Sequence, residues 1–260
     1  MTKARHERSE GEASSPQEQC CCPIVELRQY TLRPGKRDIL IDLFDREFVE
    51  SQEALGMRVL GQFRDLADPD RFVWLRGFSD MPSRAQALSE FYNGPIWKTH
   101  REVANATIID SDNVLLLRPA APTSSFHLGN LRPAPGSCEV PEACVVATIF
   151  YLDPAAGEDF VEFFERVLKP VLTDSGASIL AYFVTEPSAN TFTALPVREG
   201  ENVFVWFSCF RDRTAYEDHF TTLSQSPRWR GEVSQELTRR QKKPPEVLKL
   251  SPTARSLLRG

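Results

Sequence analysis

The chain has 260 residues, 41% hydrophobic and 26% charged, with a net charge of −5. This is globular composition, and a chain of this length can bury a sizeable core without disulfide or metal staples. The acidic balance excludes a basic nucleic-acid face, and no apolar run approaches the ~18 residues of a membrane span.

Residues 1–22 read as a disordered tail. They carry no apolar stretch of a secretory signal, and Glu7, Glu10, Glu12 and Glu18 do not suit a mitochondrial presequence. A cytoplasmic location is expected. Cys20, Cys21 and Cys22 are consecutive, so in an extended segment their side chains alternate and chelate one metal poorly; a reduced chain without a metal site follows.

Ile24 to Leu32 is β-branched with partial alternation, a strand closed by Pro34-Gly35. From Lys36 to about Leu55 the apolar positions Leu40, Leu43, Phe44 and Phe48 take helical spacing, with Gly56 as a C-terminal glycine. Met57–Arg64 and Phe72–Phe78 are the next strands, with the turn at Asp68-Pro69-Asp70. Ser79 or Asp80 followed by Pro82 starts a helix through Leu88 and Phe91, and a further helical stretch after Trp97 leads to a last strand, Val114–Leu117.

The same series then recurs. All four tryptophans pair: Phe72-Val73-Trp74-Leu75 with Phe204-Val205-Trp206-Phe207, and Pro95-Ile96-Trp97 with Pro227-Arg228-Trp229, each Trp-to-Trp spacing being 23 residues. At that offset of 132, Phe78 matches Phe210 and Asp80 matches Asp212. Upstream the offset is 120: Phe44 matches Phe164, Gly56 matches Gly176, and Phe63 matches Phe183. The difference of twelve residues falls in a longer loop of the second copy, Glu186 to Glu201. Collinear matches of this kind define a repeat: copy one over 23–119, a Pro/Ser-rich linker over 120–142, copy two over 143–252, and a short tail over 253–260. The element order β-α-β-β-α-β is ferredoxin-like, with helices on one face of an antiparallel sheet. The expected fold class is α+β, two tandem ferredoxin-like repeats packed sheet to sheet.

The run Glu26-Leu27-Arg28-Gln29-Tyr30-Thr31-Leu32-Arg33-Pro34-Gly35-Lys36, with the Phe-Val-Trp-Leu strand, the Pro-x-Trp element and the closing Leu-Leu-Arg-Pro, resembles the NIPSNAP family. The second copy keeps the first strand at Val145–Leu152 but lacks its Glu, Arg and Tyr. The resemblance implies a dimeric α+β barrel architecture. That superfamily includes cofactor-free monooxygenases and haem enzymes, and its members often form homo-oligomers.

No nucleotide loop, metalloprotease motif or serine-nucleophile motif is present. Alternation in the first strand puts Val25, Leu27 and Gln29 on one face and Glu26, Arg28, Tyr30 and Leu32 on the other. If the polar face lines the space between the sheets, Glu26, Arg28 and Tyr30 form an acid/base or anion-binding set; an ion pair that fixes the sheet packing would use the same residues. His100, near the expected barrel mouth, is a candidate general base. Gln62, Trp74 and Arg76, with their repeat equivalents Tyr182, Trp206 and Ser208, would extend the lining, although the tryptophans suit a core as well. A haem would need an axial ligand such as His219 or His100; otherwise no cofactor is expected. Two functions stay open: an enzyme acting on a small organic molecule by acid/base chemistry (oxygenation, rearrangement, dehydration or cyclisation), or a non-catalytic binding or scaffold protein.

Overall fold

Strand β1 (Ile24–Leu32) leaves only Thr31 exposed, and β5 (Cys144–Leu152) and β7 (Val203–Phe210) are buried at every position. Strands covered on both faces require two apolar layers, one on each side of the sheet. The computed structural model, which describes residues 22–129, 131–153 and 159–260, supplies both. The segment holding His6, Cys20 and Cys21 lies outside the described residues.

With β2 (Arg58–Asp65), β3 (Arg71–Phe78), β4 (Ile108–Pro119), β6 (Ser178–Thr185) and β8 (Gln241–Pro252), the strands form one closed antiparallel barrel in the order β1-β3-β2-β8-β5-β7-β6-β4. Its two seams are the same contact made twice. Phe63, Arg64 and Asp65 of β2 face Pro252, Ser251 and Leu250 of β8; Phe183, Val184 and Thr185 of β6 face Pro119, Arg118 and Leu117 of β4. Closure leaves no free sheet edge.

The helices lie outside the barrel. In the first half these are α1 (residues 37–53, with a π-helical turn at Phe44–Phe48), α2 (Met81–Asn93) and α3 (Pro95–Asn105). Their counterparts are α4 (residues 160–174, with a π-helical turn at Phe164–Leu168), α5 (Arg213–Gln225) and α6 (residues 229–240). The π turns keep the repeat offset. So do Gly56 and Gly176, which end α1 and α4 at φ +85° and +102°, values that favour glycine. Asp80 caps α2 by accepting from the Ser83 N–H, and Asp212 caps α5 by accepting from the Ala215 N–H.

The expected alternation of β1 holds, but its assignment to the two sides is reversed. Val25 and Leu27 point into the barrel and join Val73, Leu75, Ala147, Ile149, Val205 and Phe207 in one apolar cluster shared by both halves. Glu26, Arg28 and Tyr30 point outward, under α1 and α2. The space between the sheets is therefore a packed core, and the expectation of a pocket there is corrected.

Two segments expected to be loose are built in. Ser124 and Phe126 of the linker are buried, as are Thr253, Arg255, Ser256 and Leu258 of the last eight residues. They are repeat equivalents at the same offset of 132. Ser124 N–H donates to the Ala121 carbonyl, and Ser256 N–H donates to the Thr253 carbonyl. Phe126 and Leu258 both enter the barrel core. Each copy thus runs several residues past the boundaries at 119 and 252. Arg240, at the end of α6, is buried and paired with Asp159 and Glu236.

Candidate functional site

The outward face of β1 and β3 carries a closed cluster of charge. Register sets Glu26 opposite Arg76 and Arg28 opposite Trp74. Glu26 Oε2 accepts from Arg28 Nη1 at 2.8 Å and from Arg76 Nε at 2.7 Å, and Oε1 accepts from Arg84 Nε at 2.7 Å. All four residues are fully buried. Burial alone would raise the Glu26 carboxyl, but Arg76, Arg28 and Arg84 together outweigh it and hold it far below the usual carboxylate range. A carboxylate so held takes up no proton near neutrality, so it does not suit the general acid or base role. Burial pushes the Tyr30 phenol up; its oxygen accepts from Arg28 Nε at 3.1 Å.

Arg84 escaped the sequence reading, yet it left a signal. With Ala87, Leu88 and Phe91 it forms the buried stripe of α2, so it is an arginine at a helical core position. Gln52 was missed as well; its Oε1 accepts from Arg76 Nη1 at 3.1 Å.

Next to this cluster, Tyr30, Trp74, Gln52, Phe48 and Tyr92 line a cavity of about 90 Å³. Leu195, from the longer loop of the second half, closes it. That loop reaches across the seam: Phe192 stacks on Tyr92 with ring centroids 5.9 Å apart, and Arg84 Nη1 donates to Asn190 Oδ1 at 3.0 Å.

The equivalent space in the second half is different. Val146, Thr148, Phe150, Ser208 and Tyr216 replace Glu26, Arg28, Tyr30, Arg76 and Arg84, and every one of them lines a largely apolar cavity of about 360 Å³. Trp206 and Trp229 also line it, as does His219 from α5. His219 Nδ1 lies 2.9 Å from the Ser175 carbonyl oxygen. A carbonyl only accepts, so Nδ1 carries the proton and Nε2 keeps its lone pair. Burial lowers the imidazole pKa below its ordinary value, which keeps the ring neutral at pH 7.

The residues named from the sequence thus divide among several places. Glu26, Arg28, Tyr30, Trp74 and Arg76 come together; Trp206 and Ser208 line the second cavity. His100 stands apart on α3, partly exposed, with Nε2 3.5 Å from Glu47. Gln62 donates to Asp45 Oδ1 at 2.9 Å, and the Tyr182 hydroxyl donates to Glu165 Oε1 at 2.7 Å. Of the two histidines considered as haem ligands, His219 lines the second cavity. No cluster of metal-binding side chains occurs among the described residues, and none of their helices is long and apolar enough to cross a membrane.

The NIPSNAP family model matches residues 25–123, which is the first half from β1 past β4 into the segment that carries Phe126. Residues 25–123 are thus similar to the NIPSNAP domain. Over about nine-tenths of its length the chain is similar in fold to solved structures. One, provisionally described as a monooxygenase, is from Fusobacterium nucleatum (TM-score 0.57, 11% identity, 92% of this chain and 96% of that one). Another with the same provisional description is from Lactobacillus acidophilus (TM-score 0.55, 15% identity, 89% and 94%). An anthrone oxidase-like protein aligns at TM-score 0.54 and 15% identity, over 88% and 91%. No curated protein matches the chain.

Proposed function

We propose that this protein is a small-molecule enzyme built as a covalent pseudo-dimer of two ferredoxin-like repeats. Its substrate site is the second-half cavity between sheet and helices, with His219 as the base. The observation that carries this is the position of His219: an imidazole anchored through Nδ1 to the Ser175 carbonyl, lining a largely apolar space of about 360 Å³. Cavities of this size hold drug-sized ligands. The wall of Trp206, Trp229, Phe150 and Phe210 suits a flat aromatic molecule, while Thr148, Ser208 and Tyr216 offer hydroxyls to orient it.

In such a site Nε2 takes a proton from an acidic C–H or phenolic O–H, and the electron pair stays on the substrate as a delocalised anion. A low-dielectric wall disfavours that charge unless the substrate spreads it, so the preferred substrates are polycyclic phenols and benzylic ketones of the anthrone type. Dioxygen as co-substrate would turn the same anion into an oxygenation product without a bound cofactor.

The test uses the purified full-length protein. Titration with anthrone-class ketones is expected to quench the fluorescence of Trp206 and Trp229 saturably, and the wild type is expected to speed solvent deuterium exchange at the acidic C–H. His219→Asn should keep binding within about threefold and lose the exchange. Exchange unchanged in His219→Asn would assign the base to another residue, binding without exchange in the wild type would leave a binding protein, and no saturable quenching would remove the site.

A further inference from the structure

The first-half cluster contains more positive charge than it neutralises. Arg28, Arg76 and Arg84 are fully buried around a single carboxylate, Glu26. A buried charge without a counter-charge is among the costlier features an interior can hold. Partner groups are also missing: Arg28 Nη2, Arg76 Nη2 and Trp74 Nε1 are buried and have no protein hydrogen-bond acceptor. Neither the barrel nor the helix packing demands these groups, since the second half builds the same sheet with Val146, Thr148, Ser208 and Tyr216 in the equivalent places.

The cavity of about 90 Å³ adjoins this excess charge. Trp74 lines it and is 2% exposed. Two other lining residues connect the cavity to the guanidiniums: Tyr30, whose oxygen accepts from Arg28, and Gln52, whose oxygen accepts from Arg76. The volume equals about three waters of bulk liquid, enough for a planar ion of three or four heavy atoms and too little for a sugar or nucleotide. A small oxyanion also accepts from the indole N–H and answers the uncompensated charge behind it.

We propose that the first half binds a small planar monoanion, a carboxylate of formate or acetate size or its isostere nitrate, between the outer sheet face and α1. The Trp74 indole N–H is its donor, and Arg28 and Arg76, held behind the lining residues Tyr30 and Gln52, supply the counter-charge. Leu195 of the second-half loop lines the site, and Phe192 of the same loop stacks on the lining residue Tyr92, so ion binding in one half is covered by the other.

Thermal unfolding of the full-length protein should be followed while sodium formate, acetate or nitrate replaces sodium gluconate at constant ionic strength; gluconate is too large to enter. A saturable rise of several degrees with the small anions, absent with gluconate, is expected. Trp74→Phe, which removes one donor and keeps an aromatic ring, should weaken the apparent affinity about tenfold. Arg76→Gln should abolish the response; if that variant does not fold, Trp74→Phe decides the matter. Equal responses to gluconate and the small anions, or an unchanged affinity in Trp74→Phe, would overturn the proposal.

Discussion

Replacing Glu26 with Gln tests whether the buried charge cluster carries stability. The side chain keeps its shape, but one of its oxygens becomes an amide NH₂ that faces guanidinium donors. Oε1 accepts from Arg84 and Oε2 from Arg28 and Arg76, all at 2.7–2.8 Å. Either rotamer therefore loses at least one charge-assisted bond and leaves three buried cations with no anion. Breaking a buried pair on one side costs about 3–5 kcal/mol, and for a protein of this size each kcal/mol moves the midpoint by roughly 2–4 °C. A fall of about 6–20 °C is expected by calorimetry at pH 7, or a matching loss in urea unfolding. The pH dependence adds a second constraint. Because the folded-state pKa of Glu26 lies far below that of the unfolded chain, the contribution is complete above about pH 5. It is lost only as the pH falls below the unfolded carboxylate value toward the folded one. The gap between wild type and Glu26→Gln should be flat from pH 5 to 9 and shrink in acid. A gap under about 1 kcal/mol would refute the view of a desolvated, mutually dependent cluster.

The quadruple replacement Glu26→Val, Arg28→Thr, Arg76→Ser and Arg84→Tyr copies the second half and should unfold at a higher temperature than the single Glu26→Gln, because apolar replacement of a whole buried ion cluster is often neutral or better. Burial pushes Asp45 up to about 6, so the folded state binds more protons than the unfolded between about pH 4 and 6 and loses stability as pH rises through that window. Asp45→Asn keeps the bond from Gln62 and should gain about 1–2 kcal/mol on wild type between pH 4 and pH 7, measured by urea unfolding. Truncation after Pro252 removes Leu258 from the barrel core and Arg255 from its pairing with Glu50, and should lower the midpoint by more than 10 °C in a thermal scan. Ser208→Leu should fill part of the second cavity and abolish the tryptophan quenching by anthrone-class ligands while leaving stability unchanged or raised.

Much of the architecture was legible because a repeat reports itself without any knowledge of the fold. The tryptophan pairs, the offset of 120 and the offset of 132 located the inner strands, while the last strand of the first copy begins at Ile108, ahead of the Val114 read from the sequence. Gly56 and Asp80 marked helix ends by chemistry that is local. What stayed hidden was not local. Both faces of β1 are buried, so its alternation separates two faces without saying which meets the partner sheet and which meets the helices. A strand with one wet face would have shown it. Residues 120–126 read as linker because the stretch from Ala120 to Pro141 is rich in Pro, Ser and Gly, and residues 253–260 as tail because they follow the last matched element. Their burial depends on backbone bonds from the neighbouring copy: the Leu258 N–H donates to the Leu60 carbonyl, and the Tyr182 N–H donates to the Ser124 carbonyl. No property of either segment alone encodes those partners. His219 was named from the sequence only as a candidate haem ligand; its anchor at Ser175 lies 44 residues away, so the tautomer could be read only from the fold.

The two cavities differ for reasons that trace to one insertion and five side chains. The turn of the first half between β2 and β3 is short, spanning residues 66–70, and offers no roof to the second half. The corresponding loop of the second half is twelve residues longer and covers the first half with Phe192 and Leu195. Covering suits the charged cluster, because burial strengthens each Glu26 contact by excluding water. Leaving the other side uncovered suits a site that must admit and release an organic molecule. A chain with the loop shortened by residues 188–199 separates the two roles. It should lose small-anion stabilisation, since its roof is gone, and keep the quenching of Trp206 and Trp229 by aromatic ligands. Loss of both would mean that the loop supports the barrel as a whole, and the division of labour between the halves would then have no basis.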